Sequence, residues 1–325
     1  MNPIQKTVRR VDTFQQQHGP SSFLFGVIKK FGDDSAGNLA ALIAYYGFLS
    51  IFPLLLVLTT LLGLFFAHDA ALQHRILHSA VGQFPIVGRQ LSGKNGVQSL
   101  HSGSVVGLIV GLLGLLWGSF GVSQAAQQAM AEVWNVPPVN RPGFLPRLGR
   151  SVSFVALLGV DVVLTTFLAG LVTLGHGAVW FHVLAALVGL AVNIGLYAVG
   201  FRILTPKSVS TYHFVPGAVM GGVGWTVLQY VGTLLVGHTL KNASQTYGFF
   251  GSILGLISFL YLAAELCVYA AEVNVVRARH LYPRSIAPPP LTPADQKVLS
   301  TEAQEVERRP EQRIHVDFAP EAENG

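Results

Sequence analysis

Residues 36–66 contain no charged side chain, and this run constrains the fold more than any other feature of the sequence. A transmembrane α-helix rises about 1.5 Å per residue and needs about 20 consecutive apolar residues. The run is therefore long enough to cross a bilayer. Five further long apolar stretches follow it, at about 104–123, 149–175, 178–201, 214–237 and 247–274. The sequence predicts an all-α, polytopic membrane protein with six transmembrane helices.

Composition and charge agree with this class. Hydrophobic residues make up 51% of the 325 residues and charged residues only 11%, which is too apolar for an ordinary soluble domain. The single cysteine, Cys267, rules out a disulfide framework or a cysteine-based metal cluster. The net charge of +5 would fit nucleic-acid binding, but the positions of the charges favour an explanation in membrane topology.

The basic residues predict an orientation with both termini in the cytoplasm. Of the 21 Lys and Arg residues, 17 lie in the N-terminal arm, the 135–150 loop, the 202–213 loop and the C-terminal part of the chain from Arg277 onward. All four segments fall on the same side of a six-span chain. Because Lys and Arg are enriched in cytoplasmic loops, this side is predicted to be cytoplasmic.

Three regions follow from this topology. Residues 1–35 form a cytoplasmic arm, in which 23–31 has the pattern of an amphipathic interfacial helix. Residues 36–277 form the six-helix membrane domain, with an external segment at 67–103. Residues 278–325 are rich in proline and mixed charge and are predicted to be a disordered cytoplasmic tail.

Three carboxylates lie within the predicted spans: Asp161, Glu265 and Glu272. An ionisable group in a spanning helix is costly, so each one is a hypothesis about a functional site. Counted from the cytoplasmic ends, Asp161 and Glu265 both lie roughly 17 Å deep at 1.5 Å per residue. The predicted intramembrane polar site consists of Asp161, Glu265, Asn193, Gln229 and Tyr261. The alternative is that these carboxylates only hold helices together through hydrogen bonds.

Glu272 is predicted to behave differently. It lies four residues before the predicted cytoplasmic end of its helix, so its side chain could reach water or pair with a basic neighbour such as Arg277. Its depth alone does not indicate a site.

Several short motifs occur in a fixed order along the chain. They are the paired aromatics Tyr45 and Tyr46 with Ser50 and Pro53, then Trp134 and Arg141-Pro142, then Pro216 and Gly217, then Tyr247, Gly248 and Gly251, and finally Glu272 and Asn274 in the sequence Ala-Glu-Val-Asn. Taken together, over roughly residues 23–277, they resemble the YihY/BrkB family of bacterial inner-membrane proteins, which was once labelled ribonuclease BN.

The resemblance implies six membrane helices and a multi-pass location in the bacterial cytoplasmic membrane. The chain departs from the family pattern at Ala270, where the family usually has glycine, and at Phe249-Phe250, where it usually has Ser-Leu. Glu265 falls where the family typically has an apolar residue, whereas Glu272 and Asn274 match its motif. Depth in the membrane therefore favours Glu265 as a site residue, whereas the family resemblance favours Glu272.

The predicted function is transport of an ion or small solute through a polar intramembrane cavity. The alternative is a non-catalytic structural or envelope-maintenance protein, and a membrane-bound ribonuclease ranks last. No phosphate-binding loop, HExxH or GxSxG motif occurs, so the protein is not expected to be an enzyme or to need a cofactor or metal. The expected partners are the bilayer and the ion or solute, without nucleic acid. A homo-oligomer is left open.

Overall fold

The computed structural model describes residues 3–65, 105–174, 179–206, 209–238 and 240–319. The predicted external segment 67–103 lies outside these residues. Within the described residues the regular structure is helical and contains no strand, which confirms the predicted all-α class.

Nine α-helices make up this part of the chain. Two short helices come first, α1 (Pro3–Gln17) and α2 (Gly19–Asp33). Six long helices follow: α3 (Ala36–Phe65), α4 (Val105–Val133), α5 (Phe144–Leu174), α6 (Val179–Leu204), α7 (Val215–His238) and α8 (Leu240–Arg279). A short helix, α9 (Pro293–Glu305), is the last helix in the described part of the chain. Two connections contain 3₁₀ turns, at Pro138–Asn140 and Thr211–Phe214.

Five of the described helices are long and apolar enough to cross a membrane. Their candidate spans are Ile109–Val133, Phe144–Thr165, Val183–Leu204, Thr211–Gly232 and Ile253–Arg279. In α3 the apolar stretch found by the same criteria is the shorter Ala36–Ile51. The structure therefore supports a multi-pass helical protein with five candidate spans.

Helix α3 packs closely along α4 because glycines replace side chains at the contact. A Cβ on Gly118 would lie 2.8 Å from the Cα of Ser50, and a Cβ on Gly114 would lie 3.0 Å from the ring of Pro53. A Cβ on Gly121 would collide with the ring of Tyr46. Small residues allow two helix backbones to approach in this way in membranes, where no hydrophobic effect drives association.

The N-terminal arm packs on the membrane domain. The predicted amphipathic helix at 23–31 lies within α2, and its aromatic side chains contact α8 and the residues that follow it. Phe31 stacks on Tyr269 with ring centroids 3.8 Å apart, and Phe23 meets Tyr282 edge-on at 5.4 Å. Phe23 and Phe31 of this segment are therefore packed against protein, whereas Leu24 and Ile28 remain exposed.

The prediction of a disordered tail is wrong for residues 280–319, which are ordered. Helix α9 begins with a capping box in which Thr292 and Asp295 cap each other's backbone N–H groups. Asp295 and Val298 are buried. Composition predicted disorder because it averages over the segment, whereas a few specific anchors hold it in place.

Candidate functional site

A partly open cavity of about 210 Å³ lies between the long helices, and all six of them contribute to its wall. We call it the central cavity. Most of its lining is apolar, from residues such as Ile43 of α3 and Val122 of α4. Its polar lining residues are Asp161 of α5, Asn193 and Tyr197 of α6, and Cys267 of α8. The six helices thus border a small space with one carboxylate, that of Asp161, among its described lining residues.

Asp161 is the charged residue among those lining the central cavity. Its Oδ1 atom is buried and has no hydrogen-bond donor among the described residues. A buried polar atom without a partner costs free energy, about 1–3 kcal/mol and more for a charged group. The position of this oxygen is therefore not explained by a hydrogen bond that stabilises the fold.

Asn193 is held in place by the neighbouring helix. Its Nδ2 donates to Oγ1 of Thr226 over 3.1 Å, and that hydroxyl donates in turn to the carbonyl oxygen of Gly222 over 2.9 Å. Helices α6 and α7 can approach closely here, because a Cβ on Gly222 would lie 2.7 Å from the backbone nitrogen of Ile194. The amide is therefore fixed at one edge of the cavity.

The predicted polar site is divided in the structure. Asp161 and Asn193 line the central cavity, but Glu265, Gln229 and Tyr261 are not among the described residues that line it. Glu265 instead accepts a hydrogen bond from the hydroxyl of Tyr261 one turn earlier on α8. That tyrosine faces the start of α3, where its oxygen lies 3.4 Å from the position of a Cβ on Gly37. Equal depth from the cytoplasmic ends did not bring the two carboxylates together, because they lie on different faces of the bundle.

Of the two predicted surroundings of Glu272, water and a basic neighbour, the structure excludes water, and the nearby basic residue is Lys30 and not Arg277. Glu272 is 0% exposed, and its charged neighbours are Lys30 of α2 and Asp34. Lys30 is also 0% exposed and forms an ion pair with Asp34. We call these three residues the charge cluster. This cluster was not predicted, because Lys30 has the spacing of a residue on the solvated face of an amphipathic helix.

The charge cluster contains one cation and two carboxyl groups. Neither oxygen of Glu272 has a donor among the described residues, and its carboxyl group faces that of Asp34. Two carboxyl groups can share a hydrogen bond only if one of them carries a proton. Burial raises the pKa of Asp34, although the ammonium of Lys30 opposes this effect. The arrangement is thus electrically neutral when the two carboxyl groups share one proton.

Asn274 and Gly217, two of the motif residues, contact each other in the structure. The Oδ1 of Asn274 accepts a hydrogen bond of 2.7 Å from the backbone nitrogen of Gly217, at the start of α7. A Cβ on Gly217 would overlap the carbonyl oxygen of Ala270, so only glycine fits against α8. The motif of α3 has a similar role, because Tyr46, Ser50 and Pro53 form its contact with the glycines of α4. The surroundings of the motif residues Tyr247 and Gly248 lie outside the described part.

Residues 284–286 connect α1, α2 and α9, and we call this network the C-terminal clamp. The carboxylate of Asp295 accepts hydrogen bonds from Lys29 over 2.8 Å and from Arg284 over 2.5 Å. The carboxylate of Asp12 accepts from the hydroxyl of Ser285 over 3.1 Å and from the backbone nitrogen of Ile286 over 3.0 Å. The clamp joins the two ends of the chain on one side of the bundle.

These features define a multi-pass helical membrane protein with a small cavity between its long helices. A family model described as Virulence factor BrkB matches residues 27–292, and the chain belongs to this family. The matched region includes Lys29, Lys30, Asp34, Glu272 and Arg284. The predicted family is therefore confirmed.

Curated relatives are similar over most of their length. Inner membrane protein YhjD of Escherichia coli K12 is 25% identical over 269 residues, which is 76% of this chain and 78% of the relative. Putative ribonuclease-like protein YfkH of Bacillus subtilis 168 is 24% identical over 266 residues, 78% of this chain and 94% of the relative. No solved structure matches the chain. The family, the five candidate spans and the name of the E. coli relative agree with the predicted multi-pass, inner-membrane location.

Proposed function

We propose that the chain is a six-span transport protein that moves a small ion or solute through the central cavity, with both termini in the cytoplasm. Helix α3, which has 30 residues, supplies the sixth span. The proposed orientation rests on the 17 of 21 basic residues that lie on one side of such a topology.

The carboxylate of Asp161 carries the proposal. It lies in a cavity walled by six helices, and one of its oxygens has no donor among the described residues. Intramembrane carboxylates in water-filled cavities mark ion and proton pathways in pumps and transporters. A volume of about 210 Å³ corresponds to roughly seven water molecules at about 30 Å³ each. The acid and the apolar wall together favour a proton, a small cation or a small solute with one basic group.

The first test measures flux in proteoliposomes. Purified protein is reconstituted with a trapped pH-sensitive dye, and a potassium gradient with valinomycin sets the membrane potential. We expect proton flux above that of empty liposomes, and we expect Asp161→Asn to abolish it. The same vesicles with a trapped sodium-sensitive dye test the cation alternative.

Glu265→Gln is the matched control for this test, because Glu265 is a second intramembrane glutamate outside the central cavity. We expect the control to retain flux. Equal flux in wild type and Asp161→Asn would contradict the proposal, and so would the absence of proton and sodium flux in the wild type.

The second test uses Cys267, the single cysteine of the chain, which lines the central cavity. A membrane-impermeant methanethiosulfonate reagent reacts only with a thiol that water reaches. If the cavity opens to water during transport, the reagent should modify Cys267 in proteoliposomes and slow the flux. A Cys267→Ala variant controls for reaction elsewhere. A thiol that reacts only with a lipid-soluble maleimide would show that the cavity stays dry.

A structural role is the second candidate, and the C-terminal clamp is the observation that favours it. The clamp and the charge cluster use buried ionic groups to hold α1, α2, α8 and α9 together. For a purely structural protein, Asp161→Asn should lower the thermal stability in detergent and no flux should be measured. The ribonuclease-like name of the B. subtilis relative adds a third hypothesis, and metal-dependent RNA cleavage by the purified protein would test it.

A further inference from the structure

Four arginines line two adjoining cavities at one end of the bundle, and we call this region the arginine groove. The larger cavity has a volume of about 640 Å³ and is lined by Arg150 and Arg202. The smaller has about 260 Å³ and is lined by Arg141, Arg147 and Arg150. The two cavities share Pro142, Arg150 and Pro206, so they form one continuous groove.

The positive charge of the groove is largely unneutralised. Neither cavity has an acidic residue among its described lining residues. Arg150 and Arg202 lie close enough for their like charges to repel. Arg141 pairs with Glu132 and Glu305, but no ion pair in the described part of the chain involves Arg147, Arg150 or Arg202. A bound anion would relieve this repulsion.

The two central arginines lie at the edge of the hydrophobic region. Arg150 is in the first two turns of the candidate span Phe144–Thr165, and Arg202 is two residues before the end of the span Val183–Leu204. These positions are at the level where a bilayer changes from acyl chains to headgroups. Basic pockets between membrane helices at this level bind phospholipid headgroups.

The surface beside the groove is suited to acyl chains. Phe144 is 70% exposed and Leu145 is 76% exposed at the start of α5. Gly149 lies on the groove-lining face of the same helix, and a Cβ there would have no atom within 4 Å. The groove therefore combines open space, three guanidinium groups without an ion-pair partner in the described part of the chain, and an adjacent apolar surface.

We propose that the arginine groove binds the phosphate of an anionic phospholipid headgroup, held between Arg150 and Arg202. Guanidinium groups recognise phosphate through paired hydrogen bonds, which a lysine cannot make in the same geometry. Arg141 and Arg147 extend the positive field along the headgroup. The acyl chains lie against the exposed apolar residues at the start of α5.

Native mass spectrometry of the full chain in a neutral detergent tests this proposal. The protein is titrated with phosphatidylglycerol, and bound lipid is counted. The double variant Arg150→Gln, Arg202→Gln should weaken binding about tenfold or more, since a hydrogen bond to a charged group contributes about 1.5–3 kcal/mol. The variant Arg10→Gln, Arg277→Gln removes the same charge from two exposed arginines outside the groove, and we expect less than about a twofold change because such exposed charges contribute little.

Gly149→Trp supplies a second, independent variant that keeps every arginine. The indole ring should fill the open space above Gly149 and block the headgroup, with a loss of binding similar to that of the double arginine variant. Thermal unfolding in detergent without added lipid shows whether each variant folds. If the double arginine variant does not fold, lipid binding by Gly149→Trp alone tests the proposal.

Two results would overturn the proposal. The first is phosphatidylglycerol binding that is unchanged in the folded variants. The second is binding of soluble sn-glycerol 3-phosphate as tight as that of the lipid, which would assign the groove to a soluble phosphate compound. The proposal is supported if the wild type binds phosphatidylglycerol in preference to phosphatidylcholine and both groove variants lose this preference.

Discussion

The central cavity and the charge cluster both bury carboxyl groups in one helix bundle, but they surround them differently. In the charge cluster, Asp34 forms an ion pair with Lys30, Glu272 is close enough for the charge of Lys30 to act on it, and all three side chains are buried. In the central cavity, Asp161 has open space beside it and an oxygen without a donor in the described structure. The first arrangement stabilises a contact between helices, and the second leaves a charge available to a ligand.

This difference shows that a buried carboxylate is not by itself evidence of function. Both carboxylates are costly in a membrane, and the sequence identifies both of them. Their neighbours decide the interpretation, because Glu272 is fully buried beside Lys30 and Asp34, whereas Asp161 borders open space that a ligand could enter. The predictions below test this distinction, from the largest expected effect to the smallest.

Lys30→Met should destabilise the protein most. It leaves two buried carboxyl groups without their cation, and breaking a buried ion pair in this way costs about 3–5 kcal/mol. Glu272→Gln should cost less than about 1 kcal/mol, because the amide replaces a protonated acid and can donate to Asp34. Thermal unfolding in mild detergent measures both, with the exposed Lys6→Met as the control. An equal loss of thermal stability in Lys30→Met and Glu272→Gln would show that Glu272 is ionised and interacts directly with Lys30.

Asp295→Asn should release the C-terminal clamp. The variant removes a buried carboxylate that neutralises Lys29 and Arg284, so we expect a loss of about 3 kcal/mol in the local stability of α9. Limited trypsin digestion should then cleave at Lys297 much faster than in wild type. The exposed Asp317→Asn is the control, and an unchanged cleavage rate in Asp295→Asn would show that other contacts hold α9.

Gly217→Ala should destabilise the contact between α7 and α8. Its Cβ would overlap the carbonyl oxygen of Ala270, and such overpacking typically costs about 1–3 kcal/mol. Gly195→Ala is the matched control in a neighbouring helix, since a Cβ there meets nothing within 4 Å. The control should be neutral or stabilise by a few tenths of a kcal/mol, up to about 1. The midpoint of thermal unfolding compares the two, and equal midpoints would contradict the close approach.

The clamp should open in acid. Burial raises the pKa of Asp295, but hydrogen bonds from Lys29, Arg284 and Thr292 outweigh this effect and hold the pKa well below its usual range. A carboxyl group with a lowered folded-state pKa contributes its full stability above the unfolded value of about 3.9, and loses it as the pH falls further. Pepsin should therefore cleave α9 faster at a pH of about 2.5 than at about 4.5, relative to a denatured control peptide. This acceleration should be absent in Asp295→Asn.

Asp161→Asn should change the stability least, by less than about 1 kcal/mol, because the carboxylate oxygen it replaces has no donor to lose. The same variant should abolish flux. The unfolding midpoint in detergent is the measurement, with Lys30→Met as the comparison. If Asp161→Asn destabilises the protein as much as Lys30→Met, the carboxylate of the central cavity is structural and the distinction between the two regions fails.

The sequence by itself determined the helical class, five of the six predicted spans and the family. These depend on local properties, because a long uncharged run must form a helix that satisfies its own backbone in lipid, and short motifs keep their spacing along the chain. It also identified Asp161, Glu265 and Glu272 as the intramembrane carboxylates. It correctly predicted a helix with an apolar face at 23–31. It did not predict that Phe23 and Phe31 of this helix pack on Tyr282 and Tyr269.

Only the tertiary structure decided which side chains surround each of these three carboxyl groups. Glu272 meets Lys30 and Asp34 from the far end of the chain, whereas Asp161 and Glu265, equally deep in the sequence count, face different surroundings. The order of α9 also depends on residues from α1 and α2. Depth along a helix follows from counting residues, but the direction a side chain faces depends on the rotation and packing of each helix against its neighbours.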